Sequence, residues 1–365
     1  MNICIIGDGL TGLSLAQNLI KKKINVDFYY RDKIQTLSTN RTIGISKNNL
    51  EFFKKEIREI PKKIFWEIKK IEIFSDKLEK QKLLNFENDK NNLFCIVKNY
   101  DLYELLKNKI SKNKFFKKKL IKTDFFYKKL LKKNEYDLII NCDANNFLSK
   151  KYFTKKIDKD YDNFAYTTIL KHKKIENNVA IQIFTKCGPI AFLPISNTET
   201  SIVCSLDTKK KMYNEGEVLD LINKNNPKYQ IKKIFEISSF KLSSSNLRKY
   251  HYKNILAFGD LLHRIHPLAG QGFNMTIRDI KTLSGIIQNK IDIGMHLDSS
   301  ILSDFEKETK NKNFLFSKSI DFIYEAFNLD KKISSKSFNK ILQTIGKNKH
   351  LTNYFIKLAD RGLNF

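Results

Sequence analysis

Three glycines near the start constrain this chain more than any other feature. Ile3-Cys4-Ile5-Ile6 is a short apolar run that reads as a buried strand, and Gly7-Asp8-Gly9-Leu10-Thr11-Gly12 follows it directly. A helical pattern then covers about residues 13–22, with Ala16, Leu19 and Ile20 on one face, and residues 26–30 read as a second strand. The result is a β-α-β unit. In such a unit Gly7 permits the tight turn out of the strand, Gly9 lets a pyrophosphate approach the backbone, and Gly12 allows helix and sheet to pack closely. The helix start, with Leu10 and Thr11 beside the glycines, offers free N–H groups and a positive dipole end to phosphates. Dinucleotide binding is the expectation. An acidic residue for the ribose hydroxyls normally stands ~20 residues on, but Tyr30, Arg31 and Asp32 occupy that place. Three readings stay open: Asp32 substitutes for it, Tyr30 contacts the adenosine, or the ribose is held from elsewhere.

A second glycine-rich block narrows the cofactor. The strand-like residues 254–258 lead into Gly259-Asp260, and His266-Pro267-Leu268-Ala269-Gly270-Gln271-Gly272-Phe273-Asn274 opens a helix with Phe273, Ile277, Ile280, Ser284 and Ile287 on one face. An acidic residue straight after a strand can accept a hydrogen bond from a ribityl hydroxyl. Pro267, Gly270 and Gly272 make a turn whose amides can face a flat ring. The dipole of the following helix would stabilise a reduced, anionic flavin. A plain nicotinamide dehydrogenase needs no such second site.

This block closely resembles the flavin motif of the class A flavoprotein monooxygenases, and within them the ubiquinone-biosynthesis hydroxylases. Arg41-Thr42-Ile43-Gly44-Ile45-Ser46 is similar to that family's Arg-led stretch, whose arginine lies along the FAD pyrophosphate. Residues 180–184 and Gly188-Pro189-Ile190-Ala191-Phe192-Leu193-Pro194 resemble its substrate sheet, and Ala359-Asp360-Arg361-Gly362-Leu363 its ending. The resemblance runs colinearly over nearly the whole chain. It implies an α/β fold, with a Rossmann-type FAD-binding domain like that of p-hydroxybenzoate hydroxylase. That domain is interleaved with an antiparallel β-sheet substrate domain and followed by a C-terminal helical segment. The expected division is residues 1–65, 98–155 and 250–300 for FAD, 66–97 and 156–249 for substrate, and 301–365 for the helices.

The family's Asp-Gly motif, which touches both the pyrophosphate and NAD(P)H, maps onto Asp143, but Ala144 stands in place of the glycine and Lys150 in place of the usual arginine. If that glycine needs a positive φ, alanine there is strained by about 1 kcal/mol. Phe192 and Pro194 lie where the substrate sheet approaches the flavin; they line an aromatic pocket or pack a core. His263 and His266 stand beside Asp260, yet no further ligands are near, so no metal is expected. The resemblance implies FAD as cofactor, NAD(P)H as co-substrate, and hydroxylation of the ring of an apolar polyprenylated phenol with O2. Because the cofactor carries the chemistry, no catalytic side chain is named. It also implies peripheral contact with the inner membrane face and assembly with quinone-biosynthesis enzymes. A flavin reductase or oxidase, and a non-catalytic scaffold subunit motivated by Tyr30 and Ala144, are the other flavin-fold readings.

Between residues 166 and 241, short strand-like runs at 166–170, 179–184, 190–195, 201–206 and 235–241 are separated by turns, as in an antiparallel sheet. From residue 303 the pattern is helical, with Phe305, Phe314, Phe316, Ile320, Phe322, Ile323 and Phe327 as apolar positions. The net charge of +28 comes from 67 Lys and Arg against 39 Asp and Glu. The lysines are scattered in short runs at 21–23, 117–119 and 209–211, which reads as solvated outer faces with no nucleic-acid patch. Five widely spaced cysteines fit a reducing compartment. No signal-peptide pattern opens the chain and no apolar stretch approaches ~20 residues, so a cytoplasmic protein is expected.

Overall fold

The computed structural model describes residues 2–31, 40–75, 82–87, 92–108, 110–133, 135–209, 211–267, 270–332 and 348–363. The helices within them, in chain order, are α1 (Leu10–Lys21), α2 (Lys47–Phe52), α3 (Asn99–Lys107), α4 (Phe125–Lys133) and α5 (Phe147–Tyr152), followed by α6 (Glu215–Asn225), α7 (Gln271–Asp292), α8 (Ser300–Lys332) and α9 (Lys349–Arg361). Three sheets accompany them.

The apolar run at the start becomes the centre of a six-stranded sheet. Its order is His251–Tyr252, Ile255–Ala257, Leu138–Asn141, Asn2–Ile6, Asn25–Tyr30, Phe116–Leu120. All neighbours pair in parallel except the two-residue edge strand His251–Tyr252. Ile3, Cys4, Ile5 and Ile6 are fully buried because helices cover both faces, which is why the strand is apolar without alternation. The lysine run at 117–119 lies on the opposite edge, where exposed Lys117 and Lys118 discourage pairing with another chain. Lys119 turns back to Asp27 at 2.5 Å, and the Tyr136 hydroxyl donates to the same carboxylate at 2.6 Å.

The second sheet has nine strands and is built around Lys156–His172, which pairs antiparallel with Glu199–Asp207 on one side and Ser238–Leu247 on the other. The expected antiparallel sheet therefore exists, with one exception: Val179–Phe184 runs parallel to Lys70–Ser75. The central strand is 17 residues long, far longer than the apolar run at 166–170 suggests. Its first half alternates exposed Lys156, Asp158 and Asp160 with more covered positions, so it carries no continuous apolar signal. A third, small sheet joins Thr42–Ser46 and Trp66–Ile68 through Phe94–Lys98 and so crosses the expected boundary at residue 65.

The C-terminal helices form as expected. Phe305, Phe316 and Ile320 are buried, but Phe322 is 72% exposed and does not belong to the packed face; the side chain of Phe327 lies outside the described residues. Of the face expected on α7, Ile277, Ile280, Ser284 and Ile287 are buried and Phe273 is half-buried.

Candidate flavin site

The three parallel strands Asn2–Ile6, Leu138–Asn141 and Ile255–Ala257 end side by side, and each delivers a turn to the same place. Gly7 leaves the first strand with φ +109°, its N–H bonded to the Tyr29 carbonyl at 2.9 Å. A Cβ on Gly7 would lie 3.1 Å from the Asp143 nitrogen, so the second turn packs directly on the first. A Cβ on Gly12 would sit 2.0 Å from the Gly7 carbonyl oxygen; it is the turn, more than the sheet, that demands this glycine. Gly9 is the N-cap of α1, with no side-chain cap, no acidic residue in the first turn, and open space where a Cβ would project. Leu10, Thr11 and Gly12 thus begin a helix whose first amides have no side chain to satisfy them.

The third turn closes the arrangement. Gly259, at φ +65°, lies so close to α1 that a Cβ would meet the Thr11 side chain at 2.6 Å. Asp260 is exposed at the mouth. The sequence-predicted residues Gly7, Gly9, Leu10, Thr11, Gly12, Asp143, Gly259 and Asp260 therefore come together across 250 residues of chain.

The Asp143 turn is held by a buried amide–hydroxyl network. Asn141 and Asn146 exchange a bond at 2.7 Å, Ser149 Oγ donates to the Asp143 carbonyl at 2.5 Å, and Asn146 caps α5 by accepting from Ser149 N at 3.0 Å. Asp143 itself accepts from the Asn145 N–H at 2.8 Å. Ala144 corrects an expectation: it is not among the residues with positive φ, so alanine carries no left-handed strain there. Asp8, which the glycine spacing alone did not single out, is half-buried beside Asp143, and burial pushes its carboxyl above the usual range.

The turn before α7 follows a crossing between the two larger sheets. His263–Arg264 pairs with Ser245 and Asn246 of the large sheet, so the chain crosses from one sheet to the other between Gly259 and Gly270. Pro267 accepts from the Gly270 N–H at 3.0 Å, and Gly270 caps α7 in the left-handed conformation at φ +62°. Leu268 and Ala269 lie outside the described residues. Gly272 faces open space. Gln271 is buried, and its Oε1 has no hydrogen-bond partner among the described residues. Phe273 packs against Phe53. Asn274 does not offer its side chain to a ligand. Its Oδ1 accepts from Ser46 N at 2.9 Å and Asn49 Nδ2 at 3.0 Å, while its Nδ2 donates to the Gly44 carbonyl at 2.9 Å and the Gly270 carbonyl at 3.3 Å. Asn274 holds the turn in place from behind.

Two histidines of this block are structural. His266 is buried between Tyr324, stacked at 4.2 Å, and the edge of Tyr161 at 4.8 Å; burial lowers its pKa to about 3, so the ring is neutral. His263 Nε2 lies 2.5 Å from Asp279, which also accepts from Asn313 at 2.9 Å. No cluster of three metal-ligating side chains occurs among the described residues.

Other expected residues fall elsewhere. Arg41 stacks over Phe240 of the large sheet at 4.8 Å. The Tyr30 ring is covered by Lys118 Nζ at 3.9 Å, Arg31 pairs with Asp124, and Asp32 lies outside the described residues. Phe192 is corrected from a pocket residue to a core residue. It is fully buried, stacked on Tyr229 at 5.9 Å, in a cluster closed by Val218 and Ile222 of α6. Pro194 is buried on the same face. Side chains alternate along a strand, so the opposite face carries Ala191 and its cross-strand neighbour Val203, both half-buried. Thr42 Oγ1 donates to Ser201 Oγ at 2.9 Å on that face, next to Arg41. The alternation was visible in the sequence; which face would be covered by α6 was not.

Three features fit a flavin dinucleotide: an uncapped helix start with open space at Gly9, an open Gly272, and an orphaned buried acceptor on Gln271. The FAD binding domain family matches residues 153–292. The solved p-nitrophenol 4-monooxygenase PnpA of Pseudomonas putida DLL-E4 superposes with a TM-score of 0.75 at 11% identity, over 98% of each chain. The fold is that of the class A flavoprotein monooxygenases. Within it, the sequence is 26% identical over 241 residues to the mitochondrial ubiquinone biosynthesis monooxygenase COQ6 of Dictyostelium discoideum, covering 52% of this chain and 49% of that one. It is 28% identical over 157 residues to the 3-demethoxyubiquinol 3-hydroxylase of Escherichia coli, covering 40% and 39%. The chain thus spans about half the length, or less, of these curated relatives. In this flavoprotein fold the glycine turns sit at the strand ends where such sheets bind nucleotides. No helix among the described residues is long and apolar enough to cross a membrane.

Proposed function

We propose that this chain is an FAD-dependent monooxygenase that hydroxylates the aromatic ring of a polyprenylated phenol in ubiquinone biosynthesis, with NAD(P)H and O2 as co-substrates. The single observation that carries the reading is the contact of Gly259 with Thr11, which joins a nucleotide turn to a second flavin turn. The names of the relatives support the substrate class and the pathway.

When bound, FAD supplies electron transfer from NAD(P)H and the activation of O2. The chain's own residues bind and orient. The first amides of α1 at Leu10, Thr11 and Gly12 take the pyrophosphate, with Gly7 and Gly9 clearing the approach. Asp143 flanks it. Asp260 accepts from a ribityl hydroxyl. Pro267, Gly270, Gly272 and Phe273 present backbone to the ring, Gln271 turns its acceptor toward it, and Asn274 keeps that turn rigid. The dipole of α7 favours negative charge at its start. Ala191, Val203 and Phe240 form the apolar wall that keeps water from the phenol. A large sheet with three short cofactor turns behind it is consistent with the proposed division into FAD-binding segments, substrate segments and C-terminal helices. Peripheral contact with a membrane surface and assembly with other quinone-biosynthesis enzymes belong to the same proposal, since the substrate is bilayer-soluble.

The test is direct. Purified chain loaded with FAD is mixed with NAD(P)H, a prenylated phenol and isotopically labelled O2. One labelled oxygen atom enters the product if the reading is right. Bound flavin that NAD(P)H never bleaches, with or without phenol, points to a scaffold subunit. Reduction without oxygen incorporation points to a reductase or oxidase. Profiling of quinone intermediates in cells lacking the gene identifies the phenol and the ring position.

A further inference from the structure

Behind the flavin turn, α7, α8 and the segment at Gly362 and Leu363 flank a narrow, partly open cleft that the proposed reaction does not use. Its lining includes Arg278, Thr282, Thr309 and Asn313, with Lys312 and Glu308 at the exposed rim. Arg278 is unusual among the charged groups. Both terminal guanidinium nitrogens are buried and have no hydrogen-bond partner among the described residues. Buried donors of this kind are ordinarily satisfied. The neighbouring carboxylates attract its charge without hydrogen-bonding it: Asp279 is taken by His263 and Asn313, and Asp360 accepts from the Asn48 N–H at 2.8 Å. The side chain is fixed, not merely present. Its guanidinium carbon lies 4.5 Å over the Phe316 ring, and Gly362 packs so tightly that a Cβ there would come within 2.9 Å of Nε. Burial lowers its pKa to about 10, which still leaves it protonated at neutral pH.

We propose that this cleft is a binding site for a small oxyanion, carboxylate or phosphate, seated on Arg278. A planar fork of parallel N–H donors matches either group in bidentate fashion, and an ammonium in its place would not. Lys312 adds positive charge at the entrance, while Glu308 on the same helix face restricts the site to small anions of low charge. The site is distinct from the nucleotide turns and lies two turns along α7 from Gly270. It meets the flavin block through Asp279 and His263 and through Asp360 of α9, which holds Asn48 and Ser46, so occupancy stiffens the α7–α8 contact without entering the ring pocket.

Thermal unfolding of the FAD-loaded protein tests this, with sodium phosphate and sodium acetate titrated separately against sodium chloride at equal ionic strength. Loading with FAD fills the pyrophosphate position, and the flavin absorbance is read in the same samples. The expected result is a saturable rise in Tm of about 2–4 °C with at least one of the two anions. The anion that acts names the ligand class. The Arg278→Met variant removes a buried charge that makes no hydrogen bond through its terminal nitrogens and is expected to fold and to lose the response. Arg278→Lys, read in parallel, keeps the charge but not the fork and is expected to shift the midpoint about tenfold toward higher anion concentration. A wild-type response no larger than that to chloride overturns the proposal, as does a response unchanged in both variants. The readout does not depend on hydroxylation, so failure of the proposed activity leaves it standing.

Discussion

The two glycine turns of the flavin site are built on opposite principles. The turn at Gly7–Gly12 is local: its parts lie within six residues, and its shape is enforced by backbone, a helix pressed to 2.0 Å of Cβ clearance on the turn that precedes it. The turn at Pro267–Asn274 is assembled from afar. Asn274 ties it to Gly44, Ser46 and Asn49, some 225–230 residues away, through side-chain hydrogen bonds. A local turn is fixed by steric exclusion and tolerates little change in size. A long-range turn is fixed by polar satisfaction and tolerates little change in chemistry. The two also differ in charge. Asp8 makes the first an acidic, half-buried turn, whereas His266 makes the second a neutral, aromatic-lined one.

The contrast is sharpest under substitution. The largest effect is expected from Gly12→Ala. Overlap with a backbone oxygen cannot be relieved by a rotamer change, so the loss reaches or exceeds the about 1–3 kcal/mol of ordinary overpacking, and FAD binding is abolished. Urea unfolding and flavin absorbance of the purified variant measure both. Asn274→Ala comes next. It strands the Ser46 N–H and the Gly44 carbonyl in the interior, at about 1–3 kcal/mol for each buried group left unpaired. Flavin affinity falls with stability here, and retention of both would show that the second turn does not depend on its distant partners.

Gly259→Ala is expected to cost about 1 kcal/mol or more from positive-φ strain alone, with the Thr11 clash added. Thr11→Ala in the same chain removes the clash and leaves the strain. The double variant is therefore more stable than the sum of the singles predicts, and strict additivity would break the proposed contact between the Gly7–Gly12 turn and the turn at Gly259.

At neutral pH the smallest effects come from the two titrating groups, and their signs with pH are opposite. His266 has a folded pKa depressed to about 3 against an ordinary value near 6.5. Its contribution is therefore intact above about pH 6.5 and is lost as pH falls toward 3, at up to about 1.4 kcal/mol per pH unit for one proton. His266→Phe should flatten that acid limb of the stability curve. Asp8 has a raised folded pKa, so its ionisation disfavours the native state; that penalty grows as pH rises through the carboxylate range and persists at neutrality. Asp8→Asn should stabilise the protein at pH 7 and leave it unchanged at low pH. Equal and same-signed pH responses of the two variants would erase the distinction between the turns.

The same division explains what the sequence made legible. Gly7, Gly9, Gly12 and the strands around them follow from spacing, because their causes are local. The first half of the long strand Lys156–His172 did not, since its alternation of charge and half-buried residues looks like a surface loop. Phe192 and Pro194 were found on the right strand with pocket and core both open, because only the position of α6 decides which face is covered. Asn274 was read as a ligand when its four partners were invisible. Ala144 looked like a defect because a glycine in a motif does not reveal whether its φ is needed. For Phe192, Pro194 and Asn274 the missing information is a contact between residues far apart in the chain; for Ala144 it is the backbone angle at the residue itself.

The seat of the flavin turn also involves α9. Asp360 accepts from Asn48 N at 2.8 Å through its carboxylate and from Ser46 Oγ at 3.1 Å through its backbone carbonyl, across more than 310 residues of sequence. At a synthesis rate of about 5–20 residues per second, the strand Thr42–Ser46 waits roughly 15–60 s for the segment that buttons it down. Nucleotide capture then has to wait for α9 to be made, and a nascent chain that has not yet reached Asp360 carries an unfinished cradle.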